Sequence, residues 1–553
     1  MLKRLYILIA IAVITIVPCF SEAHDSSNII RVGISNNNFS KYIFDSAEFT
    51  ATGDYEIIDI PSGKMVSGLK NEDVIKITIQ NGCYSIYQNN NLKMANLKGP
   101  LVLKTRVNTN FLSVYGLKRA GKTALYRGVF ELTKRSGNEN AFCIVNVLDL
   151  ENYLKGVVPN EMPVAFGLEA LKAQTIAARN YALKPRERFY SEFDVCDSVA
   201  SQVYFGAATE KELSNLAIKQ TNGLVALSPK EDLIMALYSS TAGGYTESYE
   251  YAFSEPKTKE FPARSVPYLK AKPDSTSIKP LSNEADAKAF YLSYPDSYDS
   301  QSPYFRWERE WNFEELEQVL KRTLVEQSKV GFVKPILNDA KDFGTLVDIK
   351  VNKRGESGKI ISLNIITDKD IFCVSKELVI RRTFQKNGKA LPSANFVIDN
   401  VITPSGKKII LHGGGFGHGV GMSQFGAGGM AQRGFKFDEI LQHYYSGISI
   451  TTMPVSITNQ NSQNSADQVF FAPYKKAILC IDDKDNVNDL TVIINDKEFK
   501  PDLDNNSKRK YRIDISEYIN IGQNTIVYCV PAGENRKKTM RVYVELKEAA
   551  NDD

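Results

Sequence analysis

A glutamate fixed between two prolines is where this sequence offers chemistry. In Val158-Pro159-Asn160-Glu161-Met162-Pro163 the prolines constrain the backbone on both sides of Glu161. A short apolar strand, Ile144 to Val147, runs into the stretch, and an alanine-rich helix follows it. A turn glutamate is ordinarily a solvated surface residue. One held on a corner just before a helix, with Val157, Val158, Met162 and Pro163 beside it in sequence, is a candidate general acid and base. Its pKa would be raised by a partly apolar pocket.

Two more segments carry polar groups at close spacing. Ser239-Ser240-Thr241-Ala242-Gly243-Gly244-Tyr245-Thr246-Glu247 is a hydroxyl-rich loop whose glycines let the backbone approach a polar ligand. The run from His412 to Ala431 is a glycine-rich turn into a helix and presents His418, Ser423 and Gln424. It lacks the GxxxxGK[ST] pattern, which argues against a phosphate cradle. The spacing of His412, His418 and His443 matches no usual zinc pattern, so neither a metal nor a cofactor is expected.

The elements that must position these groups follow from periodicity. Pro163 to Leu183 reads as a helix with Ala170, Ala173, Ala177 and Tyr181 on one face. Gln174, Arg179 and Asn180 are its polar groups able to point toward a site. Gln202-Val203-Tyr204-Phe205-Gly206 precedes a second helix, about Thr209 to Gln220, and Leu233 to Tyr238 reads as a strand ending at the hydroxyl-rich loop. The candidate binding set is Gln174, Arg179, Tyr181, Gln202, Tyr204, Ser239, Ser240, Gly243, Gly244, Thr246, His418, Ser423 and Gln424. Glu151 and Glu169 are possible second carboxylates, although Glu151 suits a structural hydrogen bond and Glu169 the support of its own helix.

Around these lies an α+β chain. Residues 24–140 read as short strands separated by Gly and Asn turns, and 141–453 as a mixed core. Within that core, 254–310 reads as a polar surface insertion, Phe313 to Leu324 as an amphipathic helix and 346–383 as strands. A linker at 454–466 and a C-terminal β-sandwich at 467–553 complete the expectation.

Bulk composition sets limits. With 553 residues, 43% hydrophobic and 24% charged, the chain is an ordinary globular protein of several domains. Lys3 and Arg4 precede an apolar run from Leu5 to Val17, and Ser21-Glu22-Ala23 is a small-x-small site, so residues 1–23 read as a secretory signal peptide. An uncleaved membrane anchor is the alternative. Cleavage would remove Lys3, Arg4 and Glu22 and lower the net charge from +4 to +3. That balance argues against nucleic acid and allows an anionic wall polymer. Six cysteines then remain without a CxxC pair; Cys480 and Cys529 either pair after export or stay as buried thiols.

The motifs together resemble the SpoIID/LytB family. The matching stretches are Tyr126-Arg127-Gly128, LENYLKGVVPNEMP followed by LEALKAQTIAARNYAL, QVYFG, YSSTAGGYT, LPSANF, and GGGFGHGVGMSQFGAGGMA with ILQHYYSG. They run in order over residues 126–448. The resemblance implies a secreted cell-wall protein and, as in the family's sporulation members, a lytic transglycosylase acting on peptidoglycan glycan strands, with Glu161 at the family's catalytic position. The alternative it implies is the family's other role, a non-catalytic, glycan-binding enhancer of a partner cell-wall amidase. Some members hold zinc in a Cys-Asp-x-x-His-Cys-Gln stretch. Here that stretch reads Cys196-Asp197-Ser198-Val199-Ala200-Ser201-Gln202, and the site is not carried over.

Overall fold

The computed structural model describes residues 29–184, 190–275, 278–404, 406–459, 464–487, 489–503, 509–532 and 537–548. The expected signal segment, 1–23, lies outside them. Among the described residues no helix is long and apolar enough to cross a membrane.

Alternating burial builds the N-terminal part. Ile75, Ile77 and Ile79 point inward from strand Ile75–Gln80 while Lys76 and Gln80 face solvent. Two sheets result, of seven and five strands, with Phe49, Ile77, Tyr84, Phe130 and Leu132 in a shared core. The twelve-residue strand Asn138–Asp149 pairs with both Ile29–Gly33 and Val129–Arg135, and it delivers the chain to the candidate site.

Helix α1 spans Leu150–Glu161. Asp149 caps it, accepting the Asn152 amide at 2.9 Å. The corner read from the two prolines is therefore a helix end: Pro159 is tolerated in the last turn, and the helix stops where Met162 precedes Pro163. Helix α2 spans Leu168–Leu183 and is buried along most of its length. Its alanines let it pack against α1, helix Glu212–Lys219, helix Gln424–Gln432 and helix Phe437–Tyr444.

Three local expectations change. Glu377–Thr383 is a helix rather than a strand, because Val379, Ile380 and Thr383 share a buried face against helix Phe313–Ser328. The stretch 254–310 is not a surface excursion throughout. It contributes helix Glu284–Tyr291 and most of strand Trp307–Asn312, and Asp299, Phe305 and Trp307 are buried. Its polar composition hides that role, since the buried polar groups are hydrogen-bonded rather than solvated. In the stretch read as a linker, Val455–Thr458 is a strand paired with Thr539–Val542; residues 460–463 lie outside the described ones.

The C-terminal strands form two sheets, and one of them is continuous with the core. Leu224–Leu227 pairs with Ser449–Thr452, which joins Thr539–Lys547 and Lys476–Asp482. The described cysteines are free thiols. Cys480 and Cys529 do not pair because Cys480 faces Val225 and Tyr543 on the side of its sheet away from Leu479 and Ile481, whereas Cys529 belongs to the opposite sheet.

Candidate functional site

Glycine 156 brings the second half of the site to α1. A Cβ at that position would lie 2.5 Å from the Tyr204 ring, so only glycine admits the 202–206 segment against the helix. The Phe205 amide donates to the Gly156 carbonyl at 3.1 Å. This contact places the Val203 amide on the Glu161 carboxyl, with Val203 N donating to Oε1 at 2.6 Å.

Opposite, the parallel pairing of Tyr238–Ser239 with Met422–Ser423 sets a second wall. Ser423 caps helix Gln424–Gln432, accepting the Gly426 amide at 3.2 Å. Gln424 then donates from Nε2 to the Glu161 main-chain carbonyl at 2.9 Å and lies 3.4 Å from Gln174 Oε1. The Tyr238 hydroxyl faces the Glu161 side chain closely enough to favour its ionised form. That hydroxyl is held from behind by Gln202, whose Nε2 donates to it at 2.9 Å and whose Oε1 accepts from Tyr153 at 3.0 Å.

Burial pushes the Glu161 pKa up to about 7, against the Val203 amide bond and the nearby Gln424 and Tyr238 side chains, which favour the ionised form. The three groups acting on it beside burial are an amide N–H, a carboxamide and a phenol; none is a carboxylate. A carboxyl of this kind exchanges its proton near neutral pH and can both give and take it.

The other sequence candidates fall into distinct places. Gln174 is fully buried on α2, with its Nε2 lacking a hydrogen-bond partner among the described residues. Tyr181 packs its ring against Tyr238 at 6.3 Å. Arg179 is buried away from the carboxyl, forked onto Glu151 by two bonds of 2.8 Å and onto the Leu224 carbonyl at 2.9 Å. Tyr204 is also a core residue: it is 1% exposed and its hydroxyl donates to Asn146 at 2.7 Å. Thr246 ties its segment to Lys272, accepting that amide at 2.9 Å.

The glycines of the hydroxyl-rich loop serve a buried carboxylate. Gly243 and Gly244 donate their amides to Asp299 Oδ2 at 2.7 and 3.3 Å. Ser239 Oγ accepts the Gly419 amide at 3.2 Å, and the Ser240 carbonyl accepts the Phe425 amide at 3.0 Å, so this loop and the glycine-rich turn are laced together. His418 is a neutral imidazole, its pKa pushed down to about 3 by burial with Lys359 and Arg381 nearby. Its Nδ1 accepts the Val420 amide at 3.0 Å. In the stretch where some members hold zinc, Cys196 Sγ donates to Ser201 Oγ at 3.3 Å and Asp197 forms a buried ion pair with Arg119 at 2.6 Å.

Sequence reasoning missed Tyr238, the Val203 amide and Asp299. Tyr238 had a signal, as the last residue of a strand entering the hydroxyl-rich loop. Asp299 had none, because it lies in a stretch read as surface.

Comparison with known proteins decides the kinship. A family described as Stage II sporulation protein matches residues 138–227, and a domain of unknown function (DUF8618) matches 255–421. Over 326 residues the chain is 30% identical to Stage II sporulation protein D of Bacillus amyloliquefaciens, covering 56% of this chain and 75% of that one. The chain belongs to the SpoIID/LytB family. A second relative in the family region, an uncharacterized protein of Brachyspira hyodysenteriae (strain ATCC 49526 / WA1), is 32% identical over 314 residues, 56% of this chain and 68% of its own. The amidase enhancer of Bacillus subtilis (strain 168) is 30% identical over 315 residues, 54% of this chain, and the match spans only 40% of that longer protein. The SpoIID match covers α1, α2 and the 202–206 segment, and so takes in Glu161, Gln174 and Gln202.

Proposed function

We propose that this SpoIID/LytB protein works outside the cytoplasm on peptidoglycan glycan strands, as a lytic transglycosylase with Glu161 as its single acid and base. The observation that carries the reading is the Glu161 carboxyl: it is part-buried, raised to about 7, and held by donors rather than by a second carboxylate. Hydrolysis of a glycoside normally takes two carboxylates, one of them to activate water or attack the sugar. Transglycosylation within a muramyl residue needs one, because the C6 hydroxyl of the same sugar is the nucleophile and is already tethered near the anomeric carbon.

In the first step neutral Glu161 gives its proton to the glycosidic oxygen as the C1–O bond breaks. The C6 hydroxyl then attacks C1, and its proton returns to the Glu161 carboxylate. The product ends in 1,6-anhydromuramic acid, and no water is consumed. The Val203 amide and the Tyr238 hydroxyl stabilise the carboxylate between the two steps.

A second reading rests on the likeness to a protein named amidase enhancer. In it the same site around Glu161 binds glycan and recruits or activates a cell-wall amidase without breaking bonds. Mass spectrometry of glycan strands incubated with the mature protein separates the two. Products one water lighter than hydrolytic ones, absent with Glu161→Gln, establish the transglycosylase. Intact glycan that co-sediments with the protein sinks it and favours the enhancer.

A further inference from the structure

The turn that delivers His418 also carries an aromatic ring toward solvent. Phe416 is 38% exposed and stacks on Tyr304 with centroids 4.4 Å apart and planes 26° apart. The pair is fixed from several sides. The Phe416 amide donates to the Thr241 carbonyl at 2.9 Å and the Thr241 amide donates back at 3.2 Å. The Thr241 and Ser302 hydroxyls bond at 2.6 Å, both buried, and Ser302 Oγ accepts the Tyr304 amide at 3.1 Å. The Gly415 amide donates to the Tyr304 carbonyl at 2.8 Å. Gly415 and Gly417 hold φ of 90° and 104°, and a Cβ on Gly417 would come within 2.9 Å of Ser239. An exposed aromatic held this rigidly loses little freedom on binding.

Its place relates it to Glu161. Thr241 is three residues beyond Tyr238, whose hydroxyl faces the Glu161 carboxyl, so the Cα atoms of Thr241 and Tyr238 are at most about 11 Å apart. Ser240 between them is tied to Phe425, the neighbour of Gln424.

We infer that the Tyr304–Phe416 platform is a flanking sugar subsite, on which a pyranose ring of the same glycan strand stacks its C–H face while another ring lies at Glu161. The inference rests on the glycan reading above and deepens it. A β-linked pyranose has an apolar face of axial C–H bonds with hydroxyls at its rim, which suits an aromatic face bordered by main-chain polar groups. Tyr304 belongs to the 254–310 stretch, so this subsite would join a residue outside the 138–227 match of the family model to Phe416 of the family's glycine-rich motif.

The test is calorimetric binding of chitohexaose and chitobiose to the mature protein carrying Glu161→Gln, alone and combined with Phe416→Ala, Tyr304→Ala or Phe416→Trp. Phe416→Ala and Tyr304→Ala are expected to weaken chitohexaose about tenfold and chitobiose little, with Phe416→Trp restoring the long ligand. Unchanged chitohexaose affinity in the alanine variants overturns the subsite. So does an equal loss for both lengths, which marks a general disturbance. Anhydro-product formation by the unsubstituted protein is read separately, so platform binding without cleavage would retain the subsite and refute the transglycosylase.

Discussion

The hydroxyl of Tyr238 faces the carboxyl of Glu161 and favours its ionised form, although the two residues are brought together from different elements and Gln202 holds the phenol from behind. A phenol donor stabilises the ionised form, so this contact restrains a proton affinity that burial raises. Proton donation to the leaving oxygen needs neutral Glu161. Cleavage by the proposed mechanism is therefore expected to fall as pH rises through about 7, approaching tenfold per unit above it. In Tyr238→Phe the carboxylate loses a donor and its pKa rises, which moves that alkaline limb to higher pH. A pH–rate profile that keeps its limb in place would refute the role given to Tyr238.

The same carboxyl makes stability depend on pH. Its folded pKa, about 7, lies above the ordinary value of 4.5, so the native state holds the proton more tightly than the unfolded one. Its contribution is fully present below pH 4.5 and is lost as pH rises through 7. Glu161→Gln carries no such penalty. Relative to the unsubstituted protein it is expected to gain about 1–3 kcal/mol between pH 4.5 and 8. Glu247 and Asp299, also raised to about 7 by burial, titrate in both proteins and cancel in the difference. Urea melts at the two ends of that range measure it, and a pH-independent difference would count against a buried, proton-binding Glu161.

Arg179 sits on the helix facing the site yet serves the core. Its side chain is 2% exposed and forks onto Glu151, which is 29% exposed. Arg179→Ala leaves a carboxylate and the Leu224 carbonyl without their donor and is expected to cost about 3–5 kcal/mol. Arg179→Lys should restore only part, since an ammonium cannot make the fork. Chemical denaturation reports the loss; weakened glycan binding at unchanged stability would instead return Arg179 to the site.

Gly421 controls where Tyr238 stands. It has φ of +71°, and a Cβ there would lie 2.1 Å from the Leu237 carbonyl, beside the Tyr238–Met422 pairing. Gly421→Ala combines a strained backbone with a forced shift of that strand. It is expected to lose about 1–3 kcal/mol and to lower glycan cleavage beyond what the lost stability explains. Thermal melts with activity measured well below the transition separate the two effects.

How much of this was legible in the chain depends on the range of the interaction. Local rules located α2 from its alanine face, the N-terminal strands from alternation and the glutamate from its flanking prolines. Ordered motifs pointed to the SpoIID/LytB family, and the comparisons bear that out. Local rules also misread Glu377–Thr383, where a short apolar run suits either period until a neighbouring helix selects one. What no local rule supplies is the direction of a side chain across elements. Tyr204 and Arg179 carry site-like chemistry in sequence, yet the fold buries one against Asn146 and the other against Glu151. Tyr238 had only its place at a strand end as a signal and Asp299 had none, and they meet Glu161 and the Gly243 turn only through long-range pairing. Residue type and spacing determined which groups were available, because propensity and turn chemistry act over a few positions. Tertiary structure alone decided which of them meet, because close packing must satisfy every buried polar group at once.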